Sequence, residues 1–385
     1  MVWRNAVNVL GSEAQGLVFD AVDAPANQVS ALTDSGACRM VAWSVSGFQK
    51  VGVLSNAATG RAWRMASDEG PNLHGWDAAP PPLGFLSVGF ALSFAEEIQA
   101  LARLRGIDLG RFGISVDNFY SVDGKMRDKT MHGGALPFTV TVTPGQNTGQ
   151  TLDNASLMAL VSDAVHVASV AGAVREQWQG QFRGYLNQRP LALSHPAPVS
   201  APVADPRPIC EAQGAGRPVS HILTAGNWSR ASTTGHPLHV SAGGMVVPDA
   251  PLDLYQELRA PCGSGWRFLA GGADAPDAAS YVSAGIGFCF MTQLEILAGL
   301  LDVDLNSVRL VQDTRFGQGG ASSGTGQPAT FAPVETHIFV ESDTASPEQV
   351  VELIDLAERA CYLHALCRTA LKPLVRISET QIETS

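Results

Sequence analysis

The chain has no Cys-x-x-Cys pair, and its six cysteines, at 38, 210, 262, 289, 361 and 367, are too few and too scattered for a disulfide framework in 385 residues. Those that matter are therefore expected to be reactive or metal-bound, and the rest small buried hydrophobes. Positive charge is also scarce. The formal net charge is −11 and the pI is near 5.2, which argues against binding nucleic acid through its phosphates. Aromatic residues make up 7% and charged residues 16%, against 45% hydrophobic residues, a composition of ordinary globular material. Met1-Val-Trp-Arg-Asn-Ala-Val lacks a basic stretch followed by an apolar run, so no secretory signal is expected. The longest apolar stretch is broken by Thr292, Gln293 and Glu295, short of the ~18 to 20 residues of a membrane span. The expected setting is the cytoplasm. Gly317-Gln-Gly-Gly-Ala-Ser-Ser-Gly-Thr-Gly has neither a Walker lysine nor a strand-turn-helix setting, so it reads as a flexible loop rather than a phosphate cradle.

What the chain does contain is a repeat. Ser87-Val-Gly-Phe-Ala-Leu-Ser93-Phe-Ala-Glu-Glu-Ile aligns with Ser283-Ala-Gly-Ile-Gly-Phe-Cys289-Phe-Met-Thr-Gln-Leu, and the alignment runs on to Asp108 and Asp304. The offset is constant (289 − 93 = 196 and 304 − 108 = 196), so Ser93 stands where Cys289 stands. Two related domains are the natural division, at 1–185 and 219–385. They are joined over 186–218 by a stretch dense in proline and small residues, which favours an extended connector.

Each half follows one order: a β-rich portion, the apolar helix, a few strands, then a second helix. Val308–Phe316 and Val334–Glu341 alternate as half-buried strands do, and Phe112–Tyr120 and Leu136–Thr143 repeat the pattern in the first half. Ser346-Pro-Glu-Gln reads as the capped start of the closing helix, matched by a helix over about Asn154–Trp178. Sheet-then-helix order without βαβ crossovers indicates α+β. Both repeated helices are apolar around most of their circumference and are expected to be buried and central.

The polar residues in those helices carry the chemistry. Cys289 follows Gly285 and Gly287 and reads as lying near a helix start, where the backbone dipole favours thiolate; a buried structural cysteine is the other reading. In Ala357-Glu-Arg-Ala-Cys361-Tyr-Leu-His364-Ala-Leu-Cys367, Cys361 and His364 share a helical face, and Cys367 points elsewhere. His364 on that face either orients or deprotonates a thiol, or is a satisfied core side chain.

A cysteine in a buried helix, followed some seventy residues later by Ala-Glu-x-x-Cys-x-x-His, resembles the OsmC/Ohr family of bacterial thiol-dependent hydroperoxide reductases. The resemblance is best over 280–372 and weaker over 83–175. It implies Cys289 as peroxidatic and Cys361 as resolving cysteine, in a cycle closed by an external thiol reductant acting on the disulfide, with a small apolar substrate and no cofactor or metal. Family members also hold the thiolate with an arginine from the early strands and a glutamate before the first cysteine. Here Arg230 or Arg267, and Asp277 after Pro276, stand in roughly those places, although Asp277 is shorter and farther upstream. The family's intertwined dimer implies two tandem OsmC-like domains, each an antiparallel sheet with buried central helices, forming an intramolecular pseudo-dimer that is itself a possible homo-oligomer. The first half would lack the pair, with Ser93 and, aligning Ala164 on Ala357, Ala168 in its place; Trp63, Trp76 and Phe85 would line the remaining site.

Other classes stay open. Ser93 with Glu96, Glu97 and His166 offers the residue types of a serine hydrolase. Cys289 with His364 as base would make a cysteine-dependent hydrolase of a small carbonyl substrate. His236 and His239 with Cys361 and His364 offer a weak zinc spacing. A non-catalytic small-molecule binding protein would keep the cleft without turnover.

Overall fold

The computed structural model describes residues 6–11, 18–25, 36–145, 152–193, 195–199, 201–214, 221–222, 238–260 and 262–378. In chain order these form β1 (Phe19–Val22), β2 (Ala37–Ser46), β3 (Gln49–Asn56), β4 (Arg61–Ser67), α1 (Pro82–Leu104), β5 (Phe112–Asp123), β6 (His132–Pro144), α2 (Asn154–Val167), α3 (Gly172–Arg175) and β7 (Gln181–Leu186). The short β8 (Arg189–Pro190), β9 (Ala197–Pro198), α4 (Arg207–Gln213) and β10 (His221–Ile222) follow. Then come β11 (Leu238–Val246), β12 (Leu252–Ala260), β13 (Cys262–Ala270), α5 (Ala278–Leu300), β14 (Ser307–Arg315), β15 (Glu335–Glu341), α6 (Pro347–Ala360), α7 (Tyr362–Arg368) and β16 (Leu374–Ile377). The fold is α+β.

Local sequence accounts for most boundaries. β5 and β12 alternate buried and outward side chains along their length. Asp153 caps α2 by accepting the Ser156 N–H, Asp277 caps α5 by accepting that of Ser280, and Ser346 with Gln349 closes a capping box on α6. The 186–218 stretch, expected as a bare connector, carries β8, β9 and α4 as well as the end of β7.

The two sheets are interleaved. One runs β1-β4-β3-β2-β14-β15-β7-β8 and the other β10-β13-β12-β11-β5-β6-β16, so each takes strands from both halves of the chain. Exchanging β1–β7 for β10–β16 in order converts one list into the other apart from β8, which has no counterpart. The joints are antiparallel: Leu310 pairs with Ala42 where β14 meets β2, and Ile114 with Gly244 where β5 meets β11. A parallel strand closes each far side, β7 on β15 and β16 on β6. α1 packs on β11, β5 and β12, α5 packs on β2, β14 and β3, and the two helices press against each other between the sheets.

By length and composition both helices would cross a membrane, contrary to the expectation drawn from Thr292, Gln293 and Glu295, because three polar residues do not lower the mean hydropathy enough. Their apolar windows are 83% and 89% buried inside the protein, and they serve as core helices. Their crossing depends on glycine at one repeated position. A Cβ at Gly89 would lie 2.8 Å from the Ala278 carbonyl oxygen and 2.7 Å from Val282 Cγ2, and one at Gly285 would lie 3.0 Å from both Leu86 N and Pro82 O.

Gly89→Ala is therefore expected to lower stability by about 1–3 kcal/mol through overpacking against backbone. Gly299→Ala, at an exposed place on α5 where a Cβ meets nothing within 4 Å, should raise it by about 0.5–1 kcal/mol. Urea unfolding of the two variants checks both signs.

Candidate thiol site

Cys289 is not at a helix start. Asp277 begins α5 earlier than the glycines suggested, placing Cys289 eleven residues (289 − 278) in, about 16 Å along the axis and beyond the reach of the terminal dipole. Gly287 lies inside the helix because a Cβ there would press on Met40 Sδ at 2.8 Å. Cys361 is the residue at a helix end. The closing helix breaks at it, so that Cys361, with φ −70° and ψ 119°, ends α6 and caps α7, with His364 the third residue of the new helix. β6 supports the break through Gly133, where a Cβ would come within 2.5 Å of the Ala360 carbonyl oxygen.

This break brings three of the expected residues together. The Cys289 and Cys361 thiols are neighbours that shift each other's ionisation. His364 Nδ1 lies 3.2 Å from Cys361 Sγ, and its ring is held between Phe182 and Phe290 at centroid distances of 5.2 and 5.7 Å. Cys289 is 2% exposed and Cys361 0%. Burial raises both thiols, most strongly opposed at Cys361, where the hydrogen bond from Cys289, the charge of His364 and the His364 backbone N–H together hold the thiol well below the ordinary cysteine range. Cys289 is pushed well above that range by burial and by its donation to Cys361. The imidazole and the helix-end N–H thus favour negative charge on Cys361. Cys367, also buried, is pushed up to about 12.

The first half completes the surroundings with residues that sequence reasoning missed. The Tyr120 hydroxyl, from β5, is fully buried beside Cys289, Cys361 and Cys367. Among the described residues neither it nor His364 Nε2 has a hydrogen-bond partner. Tyr362 stacks edge-on against Tyr120 at 5.7 Å. One turn beyond Cys289 on α5, Thr292 Oγ1 donates to Glu69 at 2.8 Å. Further along, Glu295 pairs with Lys50 at 3.1 Å, both side chains 0% exposed, and accepts from the Ser44 hydroxyl. Burial raises the Glu69 carboxyl to about 7. Ordinary strand and loop positions gave no signal for Glu69 or Tyr120; only pairing across halves reveals them.

The remaining expectations do not gather here. Arg230 lies outside the described residues, as does His236. Arg267 is on β13, in an exposed bidentate pair with Asp253. Asp277, three turns from Cys289, caps α5 and accepts from Asn56 Nδ2 at 2.5 Å, its carboxylate committed to the helix start. Phe85 packs among Phe268, Tyr281 and Phe288, and Trp63 against Phe19. Ser93 is bonded to Ser169 at 3.0 Å, His166 is exposed, and Glu97 is occupied by Ala321 N, Ser322 N and the Ser322 hydroxyl, so no serine triad forms. The same contacts anchor the glycine-rich loop expected to be flexible. His239 pairs with Asp117 at 2.8 Å.

Residues 271–373 match the family described as OsmC-like protein. The second half of the chain carries an OsmC-like domain. The match spans α5 through α7 and so includes Cys289, Cys361 and His364 within the OsmC-like region. No curated protein and no solved structure matches the chain.

Two measurements follow from the OsmC-like site. His364→Gln should move the first thiolate titration, followed by ultraviolet absorbance, upward in pH, since the cation next to Cys361 is lost. Glu69 keeps its proton in the folded state up to about 7, against an ordinary 4.5. Its contribution to stability is present below the unfolded value and lost as pH rises through 7, roughly 3 kcal/mol in all. Glu69→Gln should flatten the fall in urea midpoint between pH 5 and pH 8.

Proposed function

We propose that this chain reduces organic hydroperoxides with thiols, Cys289 acting as peroxidatic and Cys361 as resolving cysteine. The supporting observation is a pair of buried thiols close enough to govern each other's ionisation, with an imidazole on one of them. The setting we infer is a cytoplasmic, intramolecular pseudo-dimer of OsmC-like halves, in which the interleaved sheets replace an intertwined dimer and one of two equivalent sites has kept its thiols.

The reduced pair begins as Cys289–SH, Cys361–S⁻ and protonated His364. Passing its proton to Cys361 turns Cys289 into the thiolate, with the His364 pair acting as the base. The thiolate attacks the distal peroxide oxygen, the O–O bond breaks, and the departing alkoxide takes the Cys361 proton to leave as alcohol. Cys289 is now a sulfenic acid. Cys361 thiolate attacks its sulfur, and hydroxide leaves as water with the His364 proton. Two thiols and one peroxide give a disulfide, an alcohol and water, and an external dithiol restores the pair. No arginine stands among the described neighbours of the sulfurs; the unpartnered Tyr120 hydroxyl is placed to donate to the departing oxygen.

The hydrolase reading had His364 as base for Cys289. Its Nδ1 is engaged with Cys361 instead, which favours the redox cycle.

With tert-butyl hydroperoxide and dithiothreitol, the protein should consume peroxide and yield a Cys289–Cys361 disulfide on peptide mapping. Cys289→Ser should fall to the uncatalysed rate, Cys361→Ser should stop after one equivalent, and Tyr120→Phe should lower kcat by about a hundredfold. Hydrolysis of p-nitrophenyl acetate that needs Cys289 and persists in Cys361→Ser without reductant would instead identify a hydrolase, and ligand-dependent stabilisation without turnover a binding protein.

A further inference from the structure

The interleaved fold gives each residue near the thiol site a counterpart in the other half, and the two closing helices set the correspondence. Cys361 N–H bonds the Ala357 carbonyl at 2.9 Å and Ala168 N–H that of Ala164 at 3.0 Å; Trp178 N–H bonds the Cys367 carbonyl at 2.8 Å and Leu371 N–H that of Val174 at 2.7 Å. All four pairings keep one offset (361 − 168 = 193, 371 − 178 = 193). By that offset His364 corresponds to Ala171, Phe182 to Val375, Arg368 to Arg175 and Glu358 to Val165.

At the thiol site the rings of Phe182, from the first half, and His364, from the second, fill the space beside Phe290, and Arg368 is ion-paired with Glu358. At the equivalent place both rings have small counterparts, Ala171 and Val375. A cavity of about 560 Å³ opens there, lined by Phe94, Phe138, Met158, Val165, Val174 and Leu371, with Ala171 and Val375 in its wall. Arg175 has kept its place and lost its carboxylate. Its Nη1 and Nη2 donate to the Ala329 and His166 carbonyl oxygens, both at 2.6 Å. Three of its five N–H donors are thus not accounted for by those bonds. His166 and Lys372 stand with it on the rim, no acidic side chain lines the cavity, and among the described residues none of the three basic groups is in an ion pair. This gathering of basic side chains occurs in a chain of net charge −11.

We propose that this cavity binds a free aliphatic carboxylic acid, its chain among Phe94, Phe138, Met158 and Leu371 and its carboxylate on Arg175 and Lys372. The volume falls within the range of sites that enclose small ligands, about 300–1,000 Å³. An apolar body without a charge would leave the guanidinium unanswered, and a compact anion such as phosphate would leave the apolar wall uncovered. The inference uses the correspondence of the halves and not the thiol chemistry, so either can fail alone.

Isothermal titration of the full, reduced chain with dodecanoate tests it. One equivalent should bind, and dodecanol and dodecyltrimethylammonium should each bind at least about tenfold more weakly. Arg175→Gln should weaken dodecanoate about tenfold to a hundredfold. Val375→Phe, which restores the ring present in the other half, should abolish binding while peroxide turnover at Cys289 stays unchanged. Should Val375→Phe not fold, Lys372→Glu on the exposed rim should still weaken dodecanoate severalfold and leave dodecanol unaffected. Absence of binding, equal affinity for dodecanol, or indifference to both Arg175→Gln and Lys372→Glu would overturn the proposal.

Discussion

Two buried helices meet backbone to backbone at Gly89 and Gly285, and the remainder of the architecture depends on that contact. Neither helix could approach so closely with a side chain at the crossing, and each lies on a sheet assembled from strands of both halves. β14 and β5 reach across to β2 and β11, so neither half closes a sheet of its own. Apolar burial supplies the driving force, since almost every face of α1 and α5 is covered.

That arrangement explains how one thiol pair acquires a mixed environment. Cys289 comes from α5 and Cys361 from the break between α6 and α7, while Tyr120, Glu69 and Lys50 arrive from the first half. The buried Lys50–Glu295 pair is costly to desolvate and is supported by added bonds to the Phe48 carbonyl and the Ser44 hydroxyl. Thr292 and Glu69 sit between this pair and the sulfurs, so the local field at Cys289 is set across the boundary of the halves. On the equivalent side, Ser93 stands where Cys289 would and bonds the hydroxyl of Ser169, next to Ala168, which stands where Cys361 would. The rings of Phe182 and His364 have only Val375 and Ala171 as counterparts there, in the wall of the open cavity.

Much of the chain was legible from local pattern. The repeat of Ser87–Asp108 in Ser283–Asp304 anticipated the matching helices, alternation anticipated β5, β6, β14 and β15, and Ser346 marked the start of α6. Cys289, Cys361 and His364 were readable as a group, but for a partly mistaken reason. Spacing on a continuous helix suggested their shared face, whereas a helix break unites them. Asp277 misled because a carboxylate before a helix serves equally as a cap, and sequence does not distinguish the two uses.

Sequence by itself determined the elements whose cause is local: strands by alternation, helix starts by caps, the likeness of the two repeated helices, and that Cys289 in one answers to Ser93 in the other. Only the tertiary structure decided which strands pair across halves, which cysteine has the imidazole beside it, and that Tyr120 and Glu69 border the pair. The reason is physical. Hydrogen bonding within a turn acts over three or four residues, whereas desolvation and the Coulomb field at a buried sulfur depend on every group brought near it by the fold, however distant along the chain.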